Sequence, residues 1–216
     1  MIEILQQLDA DFLLFLNGIH TPVTDSFMKA YTGRWIWVPF YCTLAWFVLR
    51  RMGWRNGFVT IAAIGLAVAI SDQTCASLLR PFVERLRPTN PDNPLSAMVH
   101  IVDGYRGGSY GFPSCHAANS FALATYIGWI SRRNYLWIIV LVWAIINCYT
   151  RLYLGVHYPG DILVGAAVGA CAATAVYWLV RKVLHIKYIV GNLAIKPVLL
   201  VATLMAVGLM IWSIIR

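Results

Sequence analysis

The side chains that could do chemistry concentrate in three short segments. The first runs from Arg80 to Pro88 and sets Arg80 and Arg87 seven residues apart. If the preceding helix continues, the two stack on one face, two turns from each other. Two planar, permanently charged guanidinium forks converging at a membrane surface suit a phosphate dianion, although alone the pair reads equally well as an anchor to lipid headgroups. The second segment is Phe112-Pro113-Ser114-Cys115-His116. Proline favours the first helical position, which places Ser114, Cys115 and His116 in a first turn whose free N–H groups and dipole form an anion site. Ser114 adds a hydroxyl donor and His116 can supply a proton; alone, the segment is an ordinary N-cap beside an interfacial histidine. The third segment, Thr150 to Asp161, holds Arg151, His157 and Asp161. Asp161, four residues past His157, can accept from Nδ1–H, fix the tautomer and leave Nε2 free as nucleophile or base. A structural His–Asp pair would look the same. Together the three segments offer three arginines, a hydroxyl, a helix N-terminus, two histidines and a carboxylate, the parts of a phosphoryl-transfer site.

The elements that must position these parts are membrane helices. Of 216 residues, 60% are hydrophobic and 12% charged, against roughly 25% charged in a soluble domain, too few to cover a soluble globule. The expected fold is all-α, a six-span transmembrane bundle with an N-terminal interfacial helix. The uncharged stretches 35–49, 56–79 (interrupted by Asp72), about 113–131, 134–150, 162–180 and 197–215 are the spans. Residues 1–34 form the interfacial segment and 35–216 the membrane domain. Asp72, within the second span, is expected to partner an arginine. The five cysteines are odd in number and lack CxxC spacing, so no disulfide framework is indicated. The N-terminus carries Glu3, Asp9 and Asp11 without a basic region, unlike a cleavable signal peptide. The net charge is +8, but the cations fall in short clusters between apolar runs, which argues against nucleic acid and for loop anchors in the bilayer.

Six spans place Arg50, Arg51, Arg55, Arg132, Arg133, Arg181, Lys182, Lys187 and Lys196 on one side, free of acids, and all three chemical segments on the other. The cation counts, nine and eight, are close. Because three of the eight, Arg80, Arg87 and Arg151, are needed for the chemistry, the acid-free side is assigned to the cytoplasm. The site then faces the periplasm or exterior of a bacterial inner membrane.

The three segments resemble the type 2 phosphatidic acid phosphatase family, whose pattern is Lys-x6-Arg-Pro, then Pro-Ser-Gly-His, then Ser-Arg-x5-His-x3-Asp. Here Arg80-x6-Arg87-Pro88, Pro113-Ser114-Cys115-His116 and Thr150-Arg151-x5-His157-x3-Asp161 match in order and spacing. Arg80 replaces Lys and changes donor geometry, Cys115 replaces a Gly whose N–H approaches the phosphate, and Thr150 for Ser is mild. The resemblance implies that His157 attacks phosphorus, Asp161 orients it and His116 protonates the leaving group. By the same resemblance, Arg80, Arg87, Arg151, Ser114 and the N–H of Cys115 hold the equatorial oxygens. It implies no metal and no cofactor, and the segments lack the carboxylate cluster of a Mg²⁺ or two-metal site.

The resemblance also implies the substrate class, a membrane lipid phosphate or diphosphate hydrolysed through a phosphohistidine. A vanadate-dependent haloperoxidase would share the site but is soluble, and an anion transporter would distribute charge through the bundle. A phosphotransferase, in which an alcohol resolves the intermediate, stays open. Residues 89–112 form a loop long enough to act as a lid or headgroup selector. Lacking a large soluble domain for a bulky sugar, the chain is expected to favour polyprenyl (undecaprenyl) diphosphate. Lipid A is second, followed by phosphatidylglycerophosphate and phosphatidic acid.

Overall fold

Long apolar runs without interior breakers fold as helices, and the computed structural model is all-helical over its described residues, 2–33, 35–131, 135–185 and 195–215. Arg132, Arg133 and Lys187, used above to assign sides, lie outside them, as do Arg34 and Arg216. Among the described residues eight α-helices follow one another: α1 (Ile2–Asn17), α2 (Pro22–Tyr31), α3 (Val38–Gln73), α4 (Arg80–Val83), α5 (Cys115–Ile130), α6 (Leu136–Tyr153), α7 (Pro159–Leu184) and α8 (Lys196–Ile215). A π-helical turn, Thr74–Leu79, carries α3 into α4.

Four helical stretches among the described residues are long and apolar enough to cross a membrane: 38–83, 136–153, 159–184 and 196–215. This differs from the expected six in two places. α5 has only 16 residues, and the expected first and second spans fall within one helical stretch. That stretch nevertheless bends sharply at Gly53, whose φ of 73° and ψ of 167° are non-helical. A Cβ at Gly57 would lie 2.9 Å from the Cα of Leu49, whereas eight residues of straight helix span about 12 Å. The chain therefore folds back at Gly53, a conformation open to glycine because it carries no Cβ.

Small residues decide how the site is assembled. Gly165 and Gly169 on α7 face the backbone of α5 so closely that a Cβ at either would collide with Ser114 O or Ala118 O. This is the small-x3-small approach of membrane helices. It seats the N-termini of α5 and α7 side by side, where Ser114 N–H donates to Asp161 O at 3.0 Å. Aromatic packing among Tyr31, Trp37, Phe40 and Trp143 closes the neighbouring corner.

The N-terminal helices are tied into the bundle rather than lying apart from it. Leu13 is fully buried with Ala117, Cys148 and Leu152, while Ile4, Leu8, Phe12 and Phe15 of the same helix stay exposed. Asn17 donates to His100 O and Tyr153 O, and Tyr153 donates its hydroxyl to Asp25 at 2.6 Å. These bonds fasten α1, α2 and the 89–112 loop to the end of α6 that carries Arg151.

Candidate active site

The three segments converge on a cavity of about 1060 Å³. Arg80, Arg87, Cys115, His116, Arg151 and His157 line one end of it. From there it runs between α3, α5 and α6 past Leu44, Val48, Ile64 and Ile127. Cys115 and Ile127 are twelve residues apart on α5, so the cavity extends about 18 Å along that helix. Ser114 and Asp161 are fully buried behind the lining.

Arg80 and Arg87 both reach the cavity, but not from one helix face as the spacing suggests. α4 ends at Val83 because Glu84 turns left-handed, with φ of 48°. Pro88 then holds Arg87 extended, since a residue before proline is pushed out of the helical region. The extended piece pairs with residues 109–111: Arg87 N–H donates to Ser109 O and Gly111 N–H to Arg85 O. Arg87 is therefore delivered by a short backbone ladder.

Each of the three arginines is oriented by its terminal nitrogens. Arg80 Nη2 donates to Pro113 O at 3.1 Å and to Cys115 Sγ at 3.0 Å. Arg87 Nη1 donates to Val156 O and to His157 Nε2, both at 2.9 Å. Arg151 donates to Thr32 Oγ1 at 2.8 Å and to the Tyr105 hydroxyl at 3.1 Å. All three keep a buried Nε–H without a protein partner among the described residues. Buried donors without acceptors are costly, and three guanidinium groups lining one cavity fit an anion with several oxygens. Burial, with Arg151 and Arg80 nearby, draws the Arg87 guanidinium down to about 10, which leaves it charged at neutral pH.

His157 sits against this cationic group with its tautomer determined. A guanidinium only donates, so the Arg87 bond makes Nε2 the acceptor and places the ring proton on Nδ1. Nδ1 faces Asp161 Oδ2 at 3.3 Å, as the spacing predicts. Burial, then Arg87, Arg151 and Arg80, hold His157 well below the ordinary histidine range. The ring is thus neutral at physiological pH and becomes charged only when the pH falls below that depressed value. Histidine-selective NMR on the purified protein is expected to leave His157 neutral at pH 6; a titration midpoint at or above 6.5 contradicts this electrostatic picture.

Other expectations need revision. Pro113 precedes the cap instead of occupying the first helical position, and Ser114 is the N-cap, its Oγ accepting from Ala117 N–H at 3.4 Å. The Ser114 hydroxyl is thus engaged in capping and lies outside the cavity lining. Asp72 accepts from Asn119 Nδ2 at 2.8 Å and, among the described residues, pairs with no arginine. The loop 89–112 is strapped across its base by Thr89 and Arg106, which exchange bonds of 2.7 and 2.6 Å. It contributes Tyr105, Gly107 and Gly108 to the cavity.

The sequence reading missed Arg85 and Asp9. Arg85 Nη1 lies 3.1 Å from Asp161 Oδ1 and 2.7 Å from Asp9 Oδ2, and its guanidinium stacks 3.7 Å above the Tyr158 ring. Asp9 also accepts from Gly160 N–H at 2.7 Å. The chain Asp9–Arg85–Asp161–His157 thus runs from the first helix to the candidate nucleophile. Asp9 shares a helix face with Leu13 and Leu16, a signal that it points inward.

Residues 56–184 match the PAP2 superfamily. The chain belongs to this superfamily. The match spans all three PAP2 segments described above and the helices that carry them. The chain is 48% identical over 182 residues to the lipid A 4'-phosphatase of Bacteroides thetaiotaomicron, covering 84% of this chain and 81% of that one. It is 23% identical over 170 residues to an undecaprenyl-diphosphatase of Sulfolobus acidocaldarius, covering 78% and 73%. A PAP2-type phosphatidylglycerolphosphate phosphatase from Bacillus subtilis shares the fold with a TM-score of 0.60 at 22% identity, covering 83% of this chain and 88% of that one. As a PAP2 membrane phosphatase, the chain is a hydrolase of lipid phosphates.

Proposed function

We propose that this phosphatase removes the 4'-phosphate of lipid A through a phosphohistidine at His157. The observation that carries the chemistry is the gathering of Arg80, Arg87 and Arg151 on the cavity that His157 also lines, with His157 Nε2 accepting from Arg87. The phosphate displaces His157 as an acceptor from Arg87, and the freed Nε2 lone pair attacks phosphorus in line. The P–O bond breaks, and His116 protonates the departing sugar oxygen. Asp161 orients the ring and balances its positive charge. Water then cleaves the P–N bond, releasing phosphate. Arg80, Arg87, Arg151 and the N–H of Cys115 hold the equatorial oxygens, since phosphoryl transfer needs mainly positioning and electrostatic stabilisation. Ser114 acts one step back, by capping α5.

The substrate order differs from the one the sequence suggests. The sequence favours polyprenyl diphosphate on the expectation that a bulky sugar is gripped by a large soluble domain. A lipid A 4'-phosphatase 48% identical over most of both chains removes the force of that argument. In our reading the sugar headgroup lies under the 89–112 loop and an apolar chain enters the cavity between α3, α5 and α6. The turn at Gly53 supports counting 38–52 and 54–83 as separate crossings. With α5 included, that restores six spans and an active site at the periplasmic or outer face, with residues 1–34 docked on the membrane domain.

Phosphate release from lipid A and from undecaprenyl diphosphate in the same detergent is the test, with Gly65→Leu beside the wild type. Gly65 lines the cavity and a Cβ there meets nothing within 4 Å, so leucine fills space without straining a helix that tolerates it. The expected result is a higher kcat/KM for lipid A, reduced at least tenfold by Gly65→Leu, with a water-soluble aryl phosphate unaffected. A higher kcat/KM for the polyprenyl diphosphate reverses the substrate order, and equal effects of Gly65→Leu on lipid and soluble substrates exclude the chain-in-cavity arrangement.

A further inference from the structure

Cys115 occupies the signature position where glycine is usual, and its surroundings are those of a reactive thiol. It begins α5 and lines the cavity. Arg80 Nη2 donates to its Sγ at 3.0 Å. A second free thiol, Cys75, is fully buried on the π-helical turn just before Arg80, and the two thiols hydrogen-bond each other. A guanidinium and a helix N-terminus both favour thiolate, the nucleophilic form, and an adjacent thiol is placed to resolve whatever forms on the first. The other three cysteines lack this pairing: Cys42 lines the cavity but is exposed, Cys171 is exposed, and Cys148 is buried elsewhere.

We propose that Cys75 and Cys115 are a redox pair whose disulfide closes the phosphate site reversibly. This rests on the reading of Arg80 and α5 as phosphate-binding. The oxidant is a low-molecular-weight disulfide or the disulfide of a thiol oxidoreductase. Cys115 thiolate attacks one sulfur of that disulfide and expels the other as thiolate. Cys75, losing its proton to solvent, attacks Cys115 Sγ and expels the remaining half. The two protein thiols are oxidised, one disulfide is reduced to two thiols, and the reverse exchange with excess thiol restores the pair.

Closure needs the sulfurs to move from hydrogen-bond contact to about 2.05 Å. The π-helical turn bearing Cys75 is a local departure from α-geometry of the kind found at functional sites. Drawing Cys115 Sγ toward Cys75 takes it off Arg80 Nη2. It also displaces the first turn of α5, whose N–H faces the phosphate. One phosphate-binding arginine and one backbone donor are then misplaced together.

The purified protein, reduced and then treated with oxidised glutathione, is mapped by mass spectrometry and assayed on phosphatidic acid micelles. The expected product is a Cys75–Cys115 linked peptide, with activity down at least tenfold and recovered by dithiothreitol. Cys75→Ser, or Cys75→Ala if serine disturbs folding, is expected to give no linked peptide and to retain glutathione on Cys115. The proposal fails if wild-type Cys115 retains glutathione while Cys75 remains alkylatable, or if the linked protein is as active as the reduced one. The peptide map needs no turnover, so a reduced protein lacking phosphatase activity would overturn the functional reading while the linkage result still decides whether the pair forms.

Discussion

Replacing His157 by alanine is expected to lower turnover by about four to six orders of magnitude, the scale seen when a covalent nucleophile is removed. The effect is large because the covalent step runs through His157. His157 presents a neutral lone pair to Arg87. Its Nε2 is already in contact with Arg87, so the phosphate that binds Arg87 arrives beside the nucleophile. This supplies the proximity that converts a bimolecular attack into a local one. The decisive measurement is a rapid-quench experiment with a ³²P-labelled lipid phosphate. The wild type should yield an acid-labile phosphoprotein and His157→Ala none, while both elute identically on gel filtration. A labelled phosphoprotein in the alanine variant would move the nucleophile elsewhere.

What the sequence disclosed, and what it did not, follows the range of the interactions. The three signature segments could be read because each is a local pattern: Arg87-Pro88 announces an extended residue, and His157 and Asp161 are close in sequence and close in space. The helix face assumed for Arg80 and Arg87 was wrong because the left-handed Glu84 that ends α4 has no distinctive local signal. Pro113 misled because proline before a cap and proline after it look alike until Ser114 is seen to cap Ala117. Asp72 found Asn119, a partner 47 residues away that no spacing indicates. Asp9 and Arg85 are more distant still, joining the first helix to the loop after α4. The cavity between α3, α5 and α6 depends on the fold-back at Gly53, which is legible as a cationic break between apolar runs but not as a pocket.

Arg87→Ala is expected to cost about 10²- to 10³-fold in kcat, comparable to losing a preorganised donor to a developing oxyanion. Arg87 has more at stake than Arg80 or Arg151, since it contacts the nucleophile itself. Its position is set by the ladder to residues 109–111 and by Val156 O, so the donor is in place before substrate arrives. Arg87→Lys separates charge from geometry. Lysine preserves a cation but has no Nε–H and no fork, and it cannot donate to Val156 O and the phosphate along two fixed directions. If geometry governs the step, Arg87→Lys should recover less than a tenth of the wild-type kcat, and added guanidinium should partly rescue Arg87→Ala but not Arg87→Lys, whose side chain fills the space. Wild-type kcat in Arg87→Lys would instead make Arg87 a source of charge alone and transfer the positioning of the phosphate to Arg80 and Arg151.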